Sequence, residues 1–122
     1  MAIQSVMIIE DDEIAAEILQ KYIHHYSSDI HIEWSWNGYE ALVRIQEVRP
    51  QIIFLDYMMP KFDGLEFLKS IKELNTIRDT KIAIISAYVD KYNEDKFISL
   101  GADFVLPKPI KFDQIAGILE NF

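Results

Sequence analysis

The 122-residue sequence predicts an α/β domain, a doubly wound parallel sheet with helices on both faces. Three observations predict it. Four short apolar runs, Val6–Ile9, Ile52–Leu55, Ile82–Ile85 and Phe104–Leu106, lack alternation and so suit strands buried on both sides. Between them the apolar spacing changes to three and four residues, the period of one helical face. Glycine, proline and polar clusters separate the two patterns into the order βαβαβαβαβα, which right-handed crossovers turn into a parallel sheet.

Each element has its own warrant. After Val6–Ile9, residues Ala15, Ile18, Leu19, Tyr22, Ile23 and Tyr26 form a helical stripe over about Glu13–Tyr26. Ile30, Ile32, Trp34 and Trp36 alternate with His31, Glu33 and Ser35, so this strand is half-exposed and belongs at the sheet edge. Asn37-Gly38 turns into a helix over Tyr39–Val48, closed by Pro50. A loop with Pro60 and Gly64 follows Ile52–Leu55, and Leu65, Leu68, Ile71, Lys72 and Leu74 belong to a third helix. The fourth, about Asn93 to Leu100, has few apolar residues and should be the least firmly docked. Gly101 stops it, and Phe112, Ile115, Ile118 and Leu119 mark a closing helix. Gly117 within that helix costs about 1 kcal/mol relative to alanine.

Composition narrows the function. The length suits one domain, 1–122, with a real core. A net charge of −8 disfavours direct nucleic-acid binding, because no basic stripe is present to displace counterions. Without cysteine there is no disulfide framework, thiolate metal site or thiol nucleophile, and a cytoplasmic address is expected. The first apolar run is four residues long and ends in acids, which fits neither a signal peptide nor a membrane span.

In a parallel sheet the carboxyl ends of the strands share one edge, where ligands bind. That edge should collect Glu10-Asp11-Asp12, Asp56, Ser86 and Lys108, one group from each buried strand end. An oxygen-only acidic cluster suits a hard cation, and few carboxylates with room for water or phosphate oxygens suit Mg²⁺. Crowded carboxylates raise at least one pKa, and Lys108 supplies the compensating charge. A nucleophilic oxygen, a bridging cation, a lysine and a hydroxyl donor are the needs of phosphoryl transfer. Asp56, alone at its strand end, is the nucleophile candidate.

These residues, taken together, resemble the receiver domain of two-component response regulators. The resemblance rests on Ile8-Ile9-Glu10-Asp11-Asp12, Leu55-Asp56-Tyr57-Met58-Met59-Pro60 with Asp63-Gly64, Ser86-Ala87, and Gly101-Ala102-Asp103 leading to Pro107-Lys108-Pro109. It covers essentially the whole chain. It implies a flavodoxin-like five-stranded sheet of order 2-1-3-4-5 with five helices. It also implies that Asp56 accepts a phosphoryl group from a phosphohistidine of a sensor histidine kinase or phosphotransfer protein. Asp11, Asp56 and the backbone carbonyl of Met58 would hold Mg²⁺, with Glu10 acting through bound water and Asp12 the rival for a place. Lys108 would contact the phosphoryl oxygens, Ser86 would swing toward them, and the peptide before Pro109 would be cis. The modified domain would then act on a downstream target or output domain, with an activation-dependent dimer among the outcomes. No membrane contact is implied, and the only reactions catalysed would be its own phosphorylation and dephosphorylation.

One departure stands out. The family often keeps an aromatic switch residue three places before the lysine; here that place is Val105, with Phe104 one residue earlier. A one-residue offset on a strand points to the opposite face, so Phe104 is no simple replacement. Met58 and Tyr88 occupy places that in the family control water's access to the acyl phosphate.

Blander readings stand beside these. Acids in a first helical turn are favoured by the dipole alone, which accounts for Asp12 and Glu13. His24, His25 and His31 lack a partner at metal spacing, and Trp34 and Trp36 read as strand packing. An aspartyl-nucleophile phosphatase is the alternative function, but such enzymes want a second aspartate two residues on, where Met58 stands. A flavin- or nucleotide-binding domain would need glycines where the first turn is acidic. A non-phosphorylated scaffold would need a broken pocket.

Overall fold

The computed structural model describes residues 2–59, 64–74 and 79–122. Pro60 and Asp63, part of the loop motif, lie outside the described residues. Among those described are five strands, β1 (Ser5–Ile9), β2 (His31–Ser35), β3 (Ile52–Asp56), β4 (Lys81–Ser86) and β5 (Phe104–Pro107). They alternate with α1 (Glu13–Tyr26), α2 (Gly38–Val48), α3 (Gly64–Lys72), α4 (Lys91–Ser99) and α5 (Phe112–Leu119). The strands are parallel throughout and ordered β2-β1-β3-β4-β5, as expected, with β2 at one edge.

The runs of β1, β3 and β4 are buried on both faces for the anticipated reason. The fourth run falls short of that expectation because β5 is the other edge of the sheet, leaving Phe104 and Val105 half-buried. Val6, Ile8, Phe54, Ala83 and Ile85 pack with Leu19 and Ile23 of α1 and Ile115 and Leu119 of α5. Met7, Ile9, Ile53, Leu55, Ile82 and Ile84 pack on the other side with Ile45 of α2, Leu68 and Ile71 of α3, and Phe97 of α4. Each fully buried Val, Leu, Ile, Phe or Met side chain among them contributes about 1.5–3 kcal/mol relative to exposure. Phe104 and Val105 fall in opposite clusters, as their one-residue offset requires.

Helix limits follow local chemistry. Asp12 caps α1 by accepting the Ile14 N–H at 3.0 Å, and Asn37 caps α2 by accepting the Tyr39 N–H at 2.8 Å. The α2 helix ends on Arg49 in a left-handed conformation (φ 49°) before Pro50. Gly101 takes φ 110° after α4, where a Cβ would meet the Lys72 side chain at 2.5 Å. Phe97 is the sole buried residue of α4, in keeping with its weak apolar face.

Two expectations about the edge strand need correction. Ser35 is buried although its parity marked it as exposed, because α2 closes over that face near the strand's end. Trp36 lies beyond β2 and is 65% exposed, its ring meeting Trp34 edge-to-face. Of the two tryptophans, Trp34 alone is packed within the strand.

Candidate functional site

The sheet register delivers the anticipated residues to one edge. Ile9 pairs with Leu55, so Glu10 and Asp11 emerge beside Asp56; Asp56 pairs with Ile85, one residue before Ser86. Beyond the ladders the backbone keeps the loops in line. The Tyr57 N–H donates to the Ile85 carbonyl at 3.0 Å, and the Lys108 N–H donates to the Ser86 carbonyl at 2.9 Å.

Asp56 is 4% exposed at the floor of the site. Its Oδ1 accepts from Lys108 Nζ at 3.1 Å and from the Met58 N–H at 3.1 Å. The lysine therefore reaches the carboxylate from the end of β5 while the Met58 amide meets the same oxygen from just after β3. The Lys108–Pro109 peptide is cis, as expected.

Glu10, Asp11 and Asp56 can each place one carboxylate oxygen within 4.8 Å of the others. Burial raises the Glu10 pKa to about 8, helped by a hydrogen bond to Asp56 and the Asp56 charge, while Lys108 and the Asp12 backbone pull it down. Glu10 therefore holds a proton near neutral pH when no cation is bound. Crowded carboxylates predict one raised carboxyl, and here burial is the larger cause with the neighbouring Asp56 adding to it. Asp11 is exposed and points an oxygen at the same spot. Asp12 instead spends its carboxylate on the α1 cap, though its amide reaches Glu10 Oε2 at 3.5 Å. The helix-capping reading thus fits Asp12, and the three-oxygen cluster forms without it.

Ser86 is buried, and its Oγ accepts the Tyr88 N–H at 3.2 Å. Ala87 follows it on the surface. Met58 and Tyr88 are 52% and 70% exposed, flanking the edge on the loops after β3 and β4. Beside the site a cavity of about 510 Å³ opens under α1, bounded by Glu10 and Lys108 at one end and by Ile18, Tyr22 and Ile110 further along. Three hard oxygens, two of them on buried residues, fit a divalent cation of the magnesium type, which keeps several waters.

Sequence reasoning missed two contacts here. Trp34 donates its indole N–H to the Glu10 carbonyl at 2.8 Å, a role hidden because a tryptophan on an alternating strand reads as packing. Tyr57 packs edge-to-face on Phe97, ring centres 4.8 Å apart, joining the residue after Asp56 to α4. No one-dimensional pattern carries that pairing.

Among known families, the response regulator receiver domain matches residues 6–120. The chain is 30% identical over 117 residues to the probable C4-dicarboxylate response regulator DctR of Halalkalibacterium halodurans, covering 96% of this chain and 50% of that protein. It is 28% identical over 119 residues to the polar-differentiation response regulator DivK of Brucella anthropi, covering 98% and 95% respectively. The chain thus spans half the length of the first relative and nearly all of the second. A two-component response regulator from Legionella pneumophila superposes with a TM-score of 0.85 at 26% identity, covering 98% of this chain and 99% of that one. The signal receiver domain of a DNA-binding response regulator from Colwellia psychrerythraea shares the fold at a TM-score of 0.90, with 24% identity and coverages of 97% and 96%. With nearly all of its length inside the match, the chain belongs to the response regulator receiver domain family, a signalling family of two-component systems.

Proposed function

We propose that this receiver domain takes a phosphoryl group from a phosphohistidine onto the Asp56 carboxylate, and that the aspartyl phosphate switches its surface toward a downstream target or output domain. In the transfer a carboxylate oxygen of Asp56 forms a bond to phosphorus while the phosphorus–nitrogen bond breaks. The imidazole leaves with the electron pair and takes a proton. The observation that carries this reading is the Lys108–Asp56 contact at 3.1 Å, made beside the oxygen cluster of Glu10 and Asp11.

The chain's own groups divide the work. Asp56 is fixed by two donors to one oxygen, Lys108 Nζ and the Met58 N–H, which hold the nucleophilic carboxylate in place. Lys108 neutralises charge on the transferring oxygens without leaving its strand end. Asp11 and Asp56, with the Met58 backbone carbonyl and Glu10 through bound water, would hold Mg²⁺, which would supply charge neutralisation for the transfer. Ser86 exchanges its bond with the Tyr88 amide for one to the phosphoryl group, and the β4–α4 loop moves with it. Because Asp56 is nearly buried, the donor must bring its imidazole down onto the edge. Exposed Ile14 and Ile18 on α1, 68% and 42% accessible, offer it an apolar approach beside the cavity. A sensor histidine kinase or phosphotransfer protein is the proposed partner, and the exchange takes place in the cytoplasm.

The phosphatase alternative gains no residue: Met58 still stands where a general acid would be needed. Incubation with Mg²⁺ and a small acyl phosphate should add one phosphoryl group by intact mass, and none to Asp56→Asn. Modification of the Asp56→Asn variant to the same extent would place the chemistry elsewhere.

A further inference from the structure

The Glu10 backbone is held on both sides by the end of the edge strand. Its N–H donates to the Ser35 carbonyl at 3.0 Å, extending the β1–β2 ladder by one residue. Its carbonyl accepts the Trp34 indole N–H at 2.8 Å. That carbonyl belongs to the peptide joining Glu10 to Asp11. A peptide is planar, so fixing its oxygen fixes the direction in which the chain enters Asp11.

The indole is itself braced. Arg44 of α2 donates to the Trp34 carbonyl at 3.4 Å and pairs with the Glu33 carboxylate, tying the strand's end to the helix beside it. Trp36 meets the Trp34 ring edge-to-face at 6.0 Å. An edge strand has neighbours on one side only, so such bracing opposes the fraying that would otherwise free the indole. Indole N–H can only donate, and a half-buried tryptophan favours a partner for it. Here the partner is the peptide between two of the three residues that gather around the proposed cation.

We infer that Trp34 is a positioning residue, holding the Glu10–Asp11 peptide so that both carboxylates face Asp56 at the spacing a divalent cation needs. The inference rests on the proposed function and names the residue of this chain that sets the geometry of its acidic cluster. It separates the two roles a tryptophan can have. Its ring packs against the α1 side of the sheet, and its N–H aims the acidic loop.

The test is Trp34→Phe, which keeps an aromatic body and removes the N–H. Thermal melts across a Mg²⁺ titration give the half-saturating concentration, and amide hydrogen exchange in chelator reports the loop without metal. The Mg²⁺ midpoint should rise about three- to tenfold, the worth of one hydrogen bond. Exchange at Asp11 and Asp12 should speed up in chelator while Phe54 and Leu55 of β3 stay protected. Trp36→Phe keeps an aromatic ring against Trp34 and leaves the Trp34 N–H in place, so the Mg²⁺ midpoint should stay within about twofold of wild type. A wild-type midpoint in Trp34→Phe overturns the inference, and so does loss of β3 protection to the same degree as the loop, which would make the role purely structural. If the wild-type protein itself shows no Mg²⁺-dependent stabilisation, the proposed function fails instead.

Discussion

Replacing Glu10 by glutamine tests the electrostatics of the site most directly. Glutamine keeps the shape of a protonated glutamate and can still hydrogen-bond Asp56, but it cannot ionise. In the metal-free protein the Glu10 carboxyl moves from 4.5 to about 8. Between those values the folded chain holds a proton that the unfolded chain has released, so stability falls as pH rises. Below that window both forms are protonated, above it both are ionised, and the dependence is flat at each end. Glu10 is only 6% exposed, so solvent does little to screen the effect. At 1.36 kcal/mol per pH unit the full window corresponds to about 5 kcal/mol, an upper bound because an ionised Glu10 can draw closer to Lys108. For a domain of this size, about 1 kcal/mol moves Tm by about 4 °C. In chelator the wild-type Tm should therefore drop, relative to Glu10→Gln, by up to about 5 °C per pH unit between about pH 6 and pH 8. The two proteins differ at this one group, so contributions common to both cancel in the difference. Mg²⁺ should erase much of the wild-type loss at the alkaline end, since binding needs the ionised carboxylate. Parallel Tm–pH curves for the two proteins would refute the reasoning.

Three further outcomes follow from the same geometry. Lys108→Met leaves the nearly buried Asp56 carboxylate without its cation, which should cost about 1–3 kcal/mol in chelator and slow acyl-phosphate labelling by intact mass. Unchanged labelling would remove Lys108 from the mechanism. Met58→Asn exchanges a half-exposed thioether beside Asp56 for a group that can orient water, so the aspartyl phosphate should hydrolyse faster, by about tenfold if one well-placed hydrogen bond is gained. An unaltered lifetime ends the case for Met58 as a barrier to water. Phe97→Ala removes the only buried side chain of α4 together with its contact to Tyr57, at a cost of about 3–5 kcal/mol. Amide exchange in α4 should rise well beyond that in α1, and equal changes in the two helices would show that α4 is not a separate unit.

The sequence carried the fold because its signals repeat. Four unalternating apolar runs can be covered only by helices on both faces, and a single alternating run belongs at an edge. The end of each buried run then placed Glu10, Asp56, Ser86 and Lys108 at one rim, because parallel strands point the same way. Chain order also paired Phe104 and Val105 with opposite faces, which the two core clusters bear out. These conclusions need only periodicity and polarity, which are local properties of the chain.

Other features required neighbours that are distant in sequence. Parity alone makes Ser35 and Trp36 the wrong way round, since burial at a strand's end depends on how α2 crosses it. Asp11 and Asp12 are equivalent acids until α1 starts, and the cap then claims Asp12. The charge state of Glu10 depends on a pocket built from three strand ends. Trp34 acquires its partner only because β2 and β1 lie side by side in register. A side chain's type can be read in one dimension, but the atom that it meets is chosen by packing.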